Sequence, residues 1–206
     1  MRTASLIPTY VYTEMTPNPN SMKFVADRIL IGDGQVAEFI SADAAKGASH
    51  LAYNLFNFPF VKGVFVMGNF VTVNKDESIE WDLVKNELRE FIQRYLMENQ
   101  LAVTEGFTGS VRENEEVSSS HTSNGRGIFS ELEQKIADLL DEYVRPAVER
   151  DGGAIQLDSF SNGTVKVVLR GACSGCPSST VTLKDGIENL LTSMLPEVHE
   201  VIAIDG

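Results

Sequence analysis

The chain has 206 residues, 43% of them hydrophobic and 22% charged, the composition of an ordinary globular protein of one or two domains. Its 29 acidic against 17 basic residues leave a net charge of −12, which disfavours nucleic acid as the main partner because phosphate binding needs clustered Lys and Arg. The two cysteines lie three positions apart, unlike a secreted disulfide scaffold, and no run approaches the ~18 apolar residues of a membrane span.

Met1 to Pro8 lacks the apolar run of a secretory signal and carries one basic residue, Arg2. A reducing, cytoplasmic setting is therefore expected, with a mature organellar form as the alternative. Thr9 to Glu14 alternates in β style, and Met15-Thr16-Pro17-Asn18-Pro19-Asn20 breaks it with turn residues. Met22 to Ala26 and Gln35 to Ile40 are further strand candidates. Asp43 is expected to cap a helix from Ala44 to about Phe58, stopped by Pro59. Val61 to Met67 and Phe70 to Asn74 flank the two-residue turn Gly68-Asn69. Ser78 opens a long helix with Trp81, Val84, Leu88, Phe91, Ile92 and Tyr95 on one apolar face. Residues 1–108 thus read as an α+β domain.

Residues 109–128 read as a flexible linker, acidic at Glu113, Glu115 and Glu116 and then rich in Ser and Gly, with little to bury. Residues 129–206 read as a second α+β domain with the order α-β-β-α-β. Ser130-Glu131-Leu132-Glu133 matches a capping box. Pro146 should kink or restart the helix that follows, and Asp151-Gly152-Gly153 should stop it. Ile155 to Phe160 and Thr164 to Arg170 form a hairpin across Ser161-Asn162-Gly163. Pro177 starts the last helix, and Val198 to Ile204 closes the chain as a strand.

The chemistry concentrates in Gly171-Ala172-Cys173-Ser174-Gly175-Cys176-Pro177-Ser178-Ser179, between a strand and a helix. Two thiols at this spacing can converge on one soft metal centre. Amides at the start of the next helix should favour the thiolate. Three readings follow. Structural zinc needs four ligands, where this chain offers Cys173, Cys176 and three scattered histidines, His50, His121 and His199. A thiol–disulfide oxidoreductase needs only the pair. An iron–sulfur cluster needs about four thiolates, which two chains can supply together. Spacing alone leaves all three open, with the disulfide couple slightly ahead.

Val144 to Gly153, Val167 to Ser179, Thr182 to Glu188 and Leu195 to Val198 together resemble the carboxy-terminal domain of NifU-like (Nfu) iron–sulfur proteins, over nearly all of residues 129–206. Thr16 to Phe24, with Asp43 and Phe58-Pro59 to Gly63-Val64, is similar to the Nfu amino-terminal domain, though more diffusely. The cysteine-rich scaffold domain and central ferredoxin-like domain of longer NifU proteins have no counterpart in these 206 residues, and their activities are not carried over. The resemblance implies a [4Fe-4S] cluster, with [2Fe-2S] as the alternative, held in a homodimer by Cys173 and Cys176 of each copy. Such a cluster is received from upstream assembly machinery and passed to apo iron–sulfur client proteins by ligand exchange. No enzymatic step, nucleic acid or membrane is implied.

Other residues have plainer readings. Ser178 and Ser179 suit helix capping, Arg170 and Lys184 suit surface charge, and Thr16-Pro17-Asn18-Pro19 suits a rigid turn that also offers a docking surface. The first domain contains no cysteine and is assigned to partner recognition.

Overall fold

The computed structural model describes residues 6–32, 34–104, 107, 110–111, 131–174 and 177–205, the side chains of 110–111, 177–180 and 205 excepted. Its first part runs β1 Val11–Met15, β2 Ser21–Ala26, β3 Gln35–Phe39, α1 Ala42–Ala45, α2 His50–Leu55, β4 Val61–Met67, β5 Phe70–Lys75, α3 Trp81–Glu98 and β6 Ser110–Val111. The strands form one sheet in the order β1-β2-β5-β4-β3-β6, and every neighbouring pair is antiparallel. Side chains alternate between its faces. Phe24, Val64, Val66, Val71 and Val73 point to one face and meet Leu51, Leu55, Leu88, Ile92 and Leu96 of α2 and α3 in the first core.

The second part runs α4 Glu131–Leu139, a π-helical turn Leu140–Val144, α5 Arg145–Arg150, β7 Gly153–Ser161, β8 Thr164–Gly171, α6 Pro177–Met194 and β9 Glu200–Asp205. The order is the expected α-β-β-α-β. β7 and β8 are an antiparallel hairpin, and α6 carries the chain over to place β9 parallel to β8. Ile136, Leu140, Val144 and Val148 from the long helix pack with Val165, Val167, Leu169, Ile187 and Leu191 in a separate second core. Two cores make two α+β domains.

Several expectations are corrected. The helix expected over Ala44 to Phe58 is two short helices. Gly47 takes φ +80°, which ends α1, and Ser49 restarts the chain as the cap of α2. Ser41, not Asp43, caps α1 through its hydroxyl on the Ala44 amide at 3.2 Å. α3 starts at Trp81, three residues after Ser78, and its Glu80 cap makes no side-chain bond. Ser130 lies outside the described residues. Glu133 reaches the Phe160 amide at 3.4 Å, which ties α4 to β7. The restart expected at Pro146 is found: the π-helical turn ends at Val144 and α5 begins at Arg145 with the proline in its first turn. β6 falls within the stretch read as linker and pairs with Gln35 and Val36; residues 112–130 lie outside the described part.

The outer face of the first domain's sheet is also covered. Lys23 stands opposite Thr72 and Val25 opposite Phe70, while Phe65 pairs with Glu38 and Thr72. Val25, Val36, Phe65, Met67 and Phe70 form a third apolar cluster on this face, and Ala154 of β7 packs against it. The sheet is thus sandwiched between its own helices and the second domain.

Candidate functional site

Cys173 follows β8 by two residues and precedes α6 by four. It is 8% exposed and belongs to the second domain's core. Its thiol lies against Gly153, where an added Cβ would stand 2.7 Å from Sγ. The expectation of a thiolate is overturned for Cys173. Burial, with the Asp151 carboxylate adding to it, pushes its thiol up to about 12. Four residues from the helix start, the macrodipole is too distant to offset that. Cys176 lies outside the described residues.

The loop is held mainly through its backbone. Ser174 Oγ donates to the Gly171 carbonyl at 3.0 Å. The Gly171 amide donates to Glu38 Oε1 at 2.8 Å, and Asn74 Nδ2 donates to the Gly171 carbonyl at 3.3 Å. Asn18 Nδ2 donates to the Ala172 carbonyl at 3.1 Å. Two more bonds reach the end of α5: Thr72 Oγ1 to the Gly152 carbonyl at 2.7 Å and Lys23 Nζ to the Arg150 carbonyl at 3.1 Å. Gly152 has φ +85°, the left-handed turn that ends α5 and aims this carbonyl at Thr72.

The Thr-Pro-Asn-Pro element is the rigid turn its composition suggests. Thr16 Oγ1 donates to the Asn18 and Ser21 carbonyls, and Asn18 Oδ1 accepts the Asn20 amide at 2.9 Å. Trp81 Nε1 clamps the Pro19 carbonyl at 2.9 Å. The turn docks on this chain's own second domain. Pro17 and Asn18 form one wall of a cleft of ≈ 640 Å³ whose other walls include Val148, Asp151, Cys173 and Leu183. A soft thiol in a mostly apolar cleft suits a soft metal centre better than a hydrated ion.

Lys184 pairs with Glu188 at 3.3 Å along α6, and Arg170 is half-buried in β8. The side chains of Ser178 and Ser179, and all of His121, lie outside the described residues. His50 is exposed at the start of α2, and His199 is exposed beside Gly163. Among the described residues no three His, Cys, Asp or Glu side chains stand together as a metal site. The interdomain contacts of Glu38, Thr72 and Asn74 escape sequence reasoning. Their signal is the run Val64-Phe65-Val66-Met67, apolar at every position, as in a strand buried on both faces.

Comparison with known proteins adds the family. The family model described as "Scaffold protein Nfu/NifU N terminal" matches residues 11–99, and the one described as "NifU-like domain" matches residues 136–202. The chain is similar to "NFU1 iron-sulfur cluster scaffold homolog, mitochondrial" of Drosophila virilis, 37% identical over 192 residues, covering 93% of this chain and 60% of the relative. The protein of the same name in Drosophila persimilis is also 37% identical, covering 93% of this chain and 64% of the relative. The chain thus spans 60% to 64% of the length of these two curated relatives. Among solved structures, a NifU-like protein from Saccharomyces cerevisiae aligns at 24% identity and TM-score 0.43, covering 51% of this chain and 91% of that one.

Proposed function

The chain belongs to the Nfu/NifU iron–sulfur cluster scaffold family, and we propose that it carries an iron–sulfur cluster as cargo, without an enzymatic step. The cluster is [4Fe-4S], bound between two copies by Cys173 and Cys176 of each. One observation carries this reading: the chain's only two cysteines form a Cys-x-x-Cys inside the segment that matches the NifU-like domain. Two thiolates per chain fall short of the four that such a cluster takes, so a second copy completes the set. A split site also releases its cargo readily, because separating the copies uncovers it to the thiolates of an apo iron–sulfur client.

The relatives are named as mitochondrial. We assign this chain to a reducing compartment of that kind, where thiols persist as ligands. No helix among the described residues is long and apolar enough to cross a membrane.

The test is anaerobic reconstitution with ferrous iron and sulfide. About four iron and four sulfide per dimer are expected, with loss of both in Cys173→Ala and Cys176→Ala. A colourless monomer that retains two free thiols after reconstitution would refute the proposal.

A further inference from the structure

Three of the bonds between the domains end on the backbone of Gly171 and Ala172, immediately before Cys173. Glu38 accepts the Gly171 amide, Asn74 donates to its carbonyl, and Asn18 donates to that of Ala172. Phe65 lies beneath them, so close that a Cβ on Gly171 would stand 2.9 Å from its ring. In this docked arrangement the backbone of Gly171 and Ala172 is covered by the first domain's sheet, and Cys173, 8% exposed and packed in its own domain's core, faces a cleft that Pro17 and Asn18 of the first domain wall off. A cluster shared by two copies needs that sulfur at the surface.

We infer that the outer face of the first domain's sheet is a docking surface for the chain's own thiol loop, and that a cluster enters only after this clasp opens. The second half rests on the shared-cluster reading above. The clasp is built to open. It combines five hydrogen bonds with one small apolar patch. An interface of this mixed character separates more easily than a core. Its outermost members, Glu38 and Asn74, are half-buried polar side chains within reach of water. The first domain, which contributes no thiol, thereby governs when Cys173 of the second becomes available.

The test uses the full chain, without cluster and without oxygen. In Glu38→Lys with Asn74→Asp, a cation faces the Gly171 amide and a carboxylate faces its carbonyl. Neither residue is in either domain's core. Glu38→Gln retains an acceptor oxygen and is the control. X-ray scattering reads domain separation, peptide mass spectrometry reads iodoacetamide labelling of Cys173, and iron and sulfide incorporation reads uptake. The double variant should separate, label Cys173 about tenfold faster, the shift that two lost hydrogen bonds give an open–closed equilibrium, and take up cluster faster. Glu38→Gln should match the wild type. Domains that stay together, separated domains whose Cys173 labels at the wild-type rate, or slower uptake by separated domains each overturn the inference. Faster labelling with no iron uptake in any form of the chain supports the docking surface and sinks the cluster reading alone.

Discussion

Gly153 leaves the space that the thiol of Cys173 fills: a Cβ at 153 would stand 2.7 Å from Sγ and 2.6 Å from the Arg170 carbonyl oxygen. The glycine pair after α5 therefore has two separate duties. Gly152 takes the left-handed turn that ends the helix. Gly153 keeps the seat of the sulfur open, as the first residue of β7 paired with Gly171 of β8.

Replacing Gly153 with alanine should destabilise the second domain by roughly 1–3 kcal/mol, the usual penalty for overpacking where a neighbour cannot yield. The obstructing Arg170 oxygen is backbone and cannot swing aside. The thiol should move outward, so Cys173 should alkylate faster. Denaturant melts followed by amide protection of β7 and β8 measure the first effect. An unchanged midpoint together with unchanged labelling would show that the seat is not tight.

Thr72 is fully buried and donates to the Gly152 carbonyl at 2.7 Å. Thr72→Val keeps the shape and removes the donor. The Ala172 amide still reaches the same oxygen at 3.2 Å, so the loss should stay near the ordinary value of one hydrogen bond, about 0.5–1.5 kcal/mol. It should fall on the association of the domains. Unfolding followed by fluorescence of Trp81, the only tryptophan, and by second-domain amide exchange should move apart in the variant. Thr72→Ser should restore the wild-type pattern. Two probes that remain superimposed in Thr72→Val would deny the bond a role in docking.

The strands and the last helix are legible because each carries a clear period and clear stops. The thiol loop is legible as a strand-to-helix turn for the same reason. Its burial is not, because that depends on distant partners: Asn18 reaches Ala172 across 154 positions, and Glu38 reaches Gly171 across 133. Local pattern cannot encode such pairs. The split of the expected helix at Gly47 is a different failure. Its apolar residues continue across the break, and only Ser49, a buried hydroxyl at a new cap, marks the restart. The thiolate expectation failed because it weighed the helix start and left out desolvation, which dominates for a sulfur in a core.

Ser49 itself is a sharp test of the first domain. Its hydroxyl accepts the Ala52 amide at 3.0 Å, capping α2, and donates to the Ala102 carbonyl at 2.6 Å, holding the segment after α3. Alanine there removes a cap and leaves a buried carbonyl short of a donor. The expected loss is about 1–3 kcal/mol, seen as a lower midpoint in Trp81 fluorescence with second-domain exchange little changed. A midpoint within error of the wild type would mean that water replaces both contacts.

Acid should loosen the join between α6 and β9 through Glu188. Its carboxylate accepts the Val201 amide at 3.0 Å and the Lys184 ammonium at 3.3 Å. These hold it below its ordinary range, the Val201 amide first. Because the folded state favours the ionised form, its contribution is present at pH values above the unfolded carboxylate's about 4.3. It is lost as pH falls through that value and then through the lower folded one. Glu188→Gln leaves an oxygen for Val201 and removes the charge. The stability gap between wild type and variant should therefore be widest near about pH 6 and shrink steadily toward about pH 3. Other carboxylates titrate alike in both proteins and cancel in the difference. Urea melts across that range measure it, and a gap that stayed constant with pH would show that the Val201 and Lys184 contacts do not favour the ionised carboxylate.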